Sequence, residues 1–142
     1  MRAVVFALAL WLLPSLAAAM SSVTVYKDPD CDCCLAYADY LRGHGFEVTV
    51  IDTEPMDRVR AHAGTPEGFE GCHLAMIEGY VVEGHVPVGT IEKLLDERPA
   101  LAGVSLPGMP QGSPGMTGVK EEPFVVYGFG GPDGRPIPYA VE

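Results

Sequence analysis

The sequence predicts an α/β fold: a β-α-β-α-β-β-α core followed by a loop-rich C-terminal extension. Three observations point to it. Between Val23 and Pro99, short β-branched and aromatic runs alternate with stretches whose apolar residues recur at helical spacing. Two of those runs flank Glu78-Gly79, a two-residue hairpin signal. From Ala100 the composition shifts, and the last 43 residues hold 9 Gly and 7 Pro.

The first segment reads as an address. Arg2 is followed by an apolar run over residues 3–13, broken at Pro14-Ser15 and closed by Ala17, Ala18 and Ala19. As a helix the run would rise about 16 Å, half of a bilayer core, too short to span. Residues 1–19 are expected to be a cleaved secretory signal peptide. Residues 20–142 then form one exported, periplasmic domain with no stable membrane anchor, residues 100–142 being its extension.

The elements follow in order. Val23-Thr24-Val25-Tyr26 reads as a strand, and Asp28-Pro29-Asp30 as a turn. Leu35, Ala38 and Leu41 mark a helix over residues 33–42, ended by Gly43 and Gly45. Residues 46–51 form a second strand. Met56, Val59 and Ala63 mark a short helix over residues 56–63. After a Gly/Pro loop, residues 74–77 and 80–83 make the hairpin. Val88, Ile91, Leu94 and Leu95 share a helical face that must end near Arg98, because Pro99 follows. This is the order of a thioredoxin-like sandwich, in which a crossover joins parallel strands and the hairpin closes the antiparallel side. In the extension, residues 106–118 carry Pro-Gly-Met twice, ending at Met109 and Met116, in an aperiodic Gly/Pro/Met-rich loop. Residues 124–127 and 137–141 read as a hairpin. The extension is expected to pack on the core.

Charge excludes two classes of partner. Nine Lys and Arg face 19 Asp and Glu, a formal net charge of −10. Such a chain cannot neutralise a row of phosphates, so nucleic acid is excluded, and docking on an anionic membrane surface is disfavoured.

Four cysteines hold the chemistry. Cys31-Asp32-Cys33-Cys34 lies between the first strand and the first helix, and Cys72-His73 immediately precedes the third strand. By loop entropy a Cys31–Cys34 bridge contributes about 2 kcal/mol, and a bridge from that loop to Cys72 about 4 kcal/mol. A long-range staple needs only one cysteine in the first group, so three exceed what stabilisation explains. A helix N-terminus favours thiolates, the form that attacks disulfides and binds metal. Asp30 and Asp32 oppose that by like charge. Thiolates suit Cu(I), Zn(II) or an iron–sulfur cluster. Copper is favoured over zinc on two grounds. Adjacent Cys33 and Cys34 strain to serve one tetrahedral ion but suit bridging in a multinuclear cluster, and the thioethers of Met109 and Met116 are Cu(I) ligands.

The stretch at residues 23–34, the Gly71-Cys72-His73 step, residues 80–87 and residues 106–116 together resemble the CopG-type proteins. These are exported metal-binding proteins found beside copper-resistance genes and formerly carried as a domain of unknown function. The resemblance spans residues 23–116. It implies a thioredoxin-like fold and Cys31, Cys33, Cys34 and Cys72 as copper ligands, with His73 adjacent. It also implies interconversion of Cu(I) and Cu(II) in periplasmic copper resistance, alongside other copper-resistance proteins. It leaves open whether the chain is a catalyst or a store.

The remaining candidates read more plainly. His85, before Val86-Pro87, is expected to cap a turn. His44 complements the first helix's C-terminus. His62 reads as solvated, and Met76 as core. Two functional classes therefore stand. One is a copper-binding protein holding Cu(I), with an oxidoreductase role left open in which Cys31 and Cys34 act and a Cys31–Cys34 or a Cys34–Cys72 disulfide exchanges electrons with the metal. The other is a metal-free thiol–disulfide oxidoreductase, Cys31 attacking and Cys34 resolving. Cys33 and Cys72 are surplus to the second, and Cys72-His73 stands where such enzymes usually carry a cis-proline. Structural zinc is weaker than either.

Overall fold

Elements form where local pattern and neighbours agree. A computed structural model describes residues 20–142, so the expected signal peptide lies outside the described residues. The elements are β1 (Ser22–Lys27), α1 (Asp32–Gly43), β2 (Glu47–Asp52), α2 (Met56–Ala63), β3 (His73–Ile77), β4 (Tyr80–Glu83), α3 (Val88–Glu97), β5 (Gly103–Ser105), β6 (Val125–Phe129) and β7 (Ile137–Val141). The first seven reproduce the expected β-α-β-α-β-β-α succession. The hairpin forms because Glu78 and Gly79 both take positive φ, 46° and 90°, which matches the twist of β3 and β4. The third helix ends at Arg98 in a left-handed conformation, just before Pro99.

The strands form a seven-stranded sheet in the order β2-β1-β3-β4-β5-β6-β7. β1 runs parallel to β2 and antiparallel to β3, pairing Lys27 with His73. β3 and β4 pair antiparallel, with Leu74 opposite Glu83.

The extension packs on the core as expected, and it does so by continuing the sheet: β5 pairs in parallel with β4, and β6 and β7 follow edge to edge. The cause is the free edge of β4, whose unpaired backbone groups accept a further strand. β5 itself went unforeseen, since three residues starting with Gly103 carry no alternation.

Side-chain alternation sends opposite residues to opposite faces. On one face Val23, Val25, Ala75, Ile77, Val82, Val104 and Val126 pack with Tyr37 and Leu41 of α1 and with Ile91 and Leu94 of α3. On the other face Leu74, Val81 and Phe129 pack with Met56 of α2.

Candidate metal centre

Topology creates the site. Because β1 and β3 are antiparallel, the loop leaving β1 and the residues entering β3 meet at the same end of the sheet. Cys31 is the N-cap of α1, and Cys33 and Cys34 lie in its first turn. Cys72 directly precedes β3. One sulfur each from Cys31, Cys33, Cys34 and Cys72 falls within 4.8 Å of all the others. Cys33 Sγ is 3.5 Å from Cys31 Sγ and 3.6 Å from Cys72 Sγ. Two thiolates on one tetrahedral ion, with metal–sulfur bonds near 2.3 Å, sit about 3.8 Å apart, so this spacing suits a shared ion. Cys34 is fully buried, its Sγ 3.5 Å from the Cys72 carbonyl oxygen. Cys31 and Cys34 are joined in a disulfide, while Cys33 and Cys72 are free.

Two histidines face Cys72. His85 Nε2 lies 2.9 Å from Cys72 Sγ. Its Nδ1 lies 2.7 Å from the Pro114 carbonyl oxygen, which can only accept, so Nδ1 donates and Nε2 offers its lone pair. The Cys72 thiol therefore donates to His85. His73 Nδ1 is 3.4 Å from Cys72 Sγ, and its buried Nε2 has no hydrogen-bond partner. Cys72, His73 and His85 form a second potential donor group that shares Cys72 with the first.

Burial governs the protonation states. It pushes the Cys72 thiol up to about 12, reinforced by the hydrogen bond and charge of Cys33. It pushes His73 down to about 3, helped by the neighbouring His85. Burial also lowers His85, against the pull of the Pro114 carbonyl. Both rings stay neutral near pH 7.

The two Pro-Gly-Met turns flank this site differently. The second lies on the start of α1: a Cβ on Gly115 would stand 2.7 Å from Tyr37 N and 3.1 Å from Cys33 O, so only glycine fits. Met116 beside it is half-buried. In the first turn, Gly108 N–H donates to Glu70 O at 3.2 Å, two residues before Cys72. Met109 is 52% exposed.

The expected capping role of His85 is corrected. It is fully buried against Cys72, and the hairpin register held the signal. Ile77 faces Tyr80 and Leu74 faces Glu83, so two further steps set Cys72 against His85. His44 and His62 are exposed. His44 Nδ1 lies 2.8 Å from Tyr40 O.

Comparison with known proteins adds to this geometry. The family described as "Protein of unknown function, DUF411" matches residues 69–116. A solved structure titled copper resistance protein CopG, form 2, superposes with a TM-score of 0.80 at 36% identity, covering 87% of this chain and 98% of that one. Form 1 gives a TM-score of 0.77 at 37% identity, covering 85% and 96%. No curated protein matches the sequence.

Proposed function

The chain belongs to the CopG-type family of copper resistance proteins, and from that premise we propose that it is an exported, periplasmic copper-binding protein. Its cargo is Cu(I), held by the thiolates of Cys31, Cys33, Cys34 and Cys72. His73, Met109 and Met116 are the further donors. The observation behind this reading is the meeting of four sulfurs from two segments of the chain within 4.8 Å. Soft sulfur donors select Cu(I) over harder divalent ions.

The Cys31–Cys34 pair adds redox capacity. Oxidising that dithiol to the disulfide releases two electrons and two protons, enough to reduce two Cu(II) to Cu(I). The disulfide is also what a metal-free thiol–disulfide oxidoreductase would carry. That second reading leaves Cys33 and Cys72, both within reach of the pair, without a task.

The deciding test is anaerobic titration of fully reduced protein with Cu(I), and separately with Zn(II), counting metal per chain. More than one retained Cu(I) per chain, lost in Cys33→Ser, is the expected result. No retained copper, together with rapid reduction of insulin disulfides, overturns it in favour of the second reading.

A further inference from the structure

Cys72 is the isolated member of the sulfur group, and the backbone around it is unusually constrained. Glu83, the last residue of β4, is fully buried. Its main chain belongs to the sheet, facing Leu74 and accepting the Leu106 N–H at 3.1 Å. Its carboxylate reaches beyond the strand end. Oε1 accepts the Gly71 N–H at 2.9 Å and the Arg60 Nε–H at 3.2 Å, and Oε2 accepts the Thr65 hydroxyl at 3.0 Å. Arg60, in the last turn of α2, donates a second bond through Nη2 to the Gly71 carbonyl at 2.8 Å. One ion pair thus grips both the N–H and the C=O of Gly71. On the other side of Cys72, the His73 carbonyl accepts the Gly84 N–H at 3.0 Å. Gly71 is also wedged, since a Cβ there would stand 2.4 Å from Gly84 Cα.

Stability alone does not account for an ion pair that joins a fully buried carboxylate to a half-buried arginine. Apolar side chains of similar volume are often as good or better. What an arginine fork and a carboxylate add is fixed geometry. Neither group hydrogen-bonds to a cysteine sulfur, so both act through the peptide that leads into Cys72. We propose that the Arg60–Glu83 pair is a positioning device that holds Cys72 Sγ in register with Cys33 and His85. Its consequence for metal rests on the copper-binding reading above.

The test uses the whole chain after residue 19, fully reduced, as wild type, Arg60→Lys and Glu83→Gln. Without metal, iodoacetamide alkylation of Cys72 relative to Cys33 is followed by peptide mass spectrometry, with the thermal midpoint alongside. Cu(I) affinity is then read by competition with a chromophoric chelator, together with the thiolate-to-copper charge-transfer band. Lysine keeps the charge but replaces the rigid planar fork that spans Glu83 and the Gly71 carbonyl with a single nitrogen on a flexible stem. Arg60→Lys is therefore expected to raise the Cys72-to-Cys33 alkylation ratio several-fold, shift the band, and weaken Cu(I) binding by about ten- to a hundredfold. A lower midpoint with an unchanged ratio and unchanged affinity would mean a purely structural pair and overturns the proposal. If Glu83→Gln does not fold, Arg60→Lys decides alone. If wild type retains no Cu(I), the copper reading fails, and the alkylation ratio still decides whether the pair positions Cys72.

Discussion

At the scale of single residues, Cys72 holds the key position, between the Cys33 thiol and the His85 imidazole. Burial keeps its thiol protonated at neutral pH, with a pKa near 12. A metal must therefore displace a proton to reach the sulfur. The sign follows: Cu(I) affinity falls as pH falls, by about tenfold per unit for each proton displaced. Competition titrations between about pH 6 and 8, and proton release in weakly buffered solution, check this. An affinity flat across that range would exclude Cys72 as a ligand. His85→Ala removes both the acceptor for Cys72 and the donor to Pro114. It is expected to weaken Cu(I) binding at least tenfold. It should also lower the stability of the metal-free protein by about 1–3 kcal/mol in urea unfolding. The cysteines were legible from type and spacing. His85 was half-legible: Val86-Pro87 suggests a turn, and only extending the hairpin register reveals its partner. The unpartnered Nε2 of His73 had no local signal, because the ring's surroundings, Tyr37 at 4.4 Å and His85 at 4.9 Å between centroids, come from other elements.

At the scale of elements, the sequence marked the hairpin, α2 and β7 by patterns that need no context. The start of α1 was less clear. Its N-cap is Cys31, which makes no side-chain capping bond. Ser, Thr, Asp or Asn would cap better, so chemistry displaced the local signal. β5 was not legible at all, since its strand conformation comes from pairing with β4 and β6. The junction before β3 gives the sharpest element-scale expectation. Gly71→Ala places a methyl group against Gly84 Cα, and backbone rather than a flexible side chain would have to yield. The variant should lose about 1–3 kcal/mol, as overpacked sites do, and should retain less Cu(I) per chain. Urea unfolding and metal counting check the two effects separately.

At the scale of the whole molecule, one sheet separates two apolar layers. Leu94 fills the face under α1 and α3, and Phe129, from the extension, fills the face under α2. If residues 20–142 fold as one unit, both are core positions. Leu94→Ala should then cost about 2–5 kcal/mol and Phe129→Ala about 3–5 kcal/mol, each within a single cooperative transition. A separate low-stability step in Phe129→Ala would instead mark the extension as an appendage. The antiparallel contact between β1 and β3 has one more consequence. Sulfurs bound to a common ion at that end would rivet the first strand to the third. Loading should then slow amide hydrogen exchange at Tyr26 and Leu74, which face each other across the seam. It should leave exchange in the distant β6–β7 ribbon nearly unchanged. Cargo capture would thus be written into the breathing of the sheet, strand by strand.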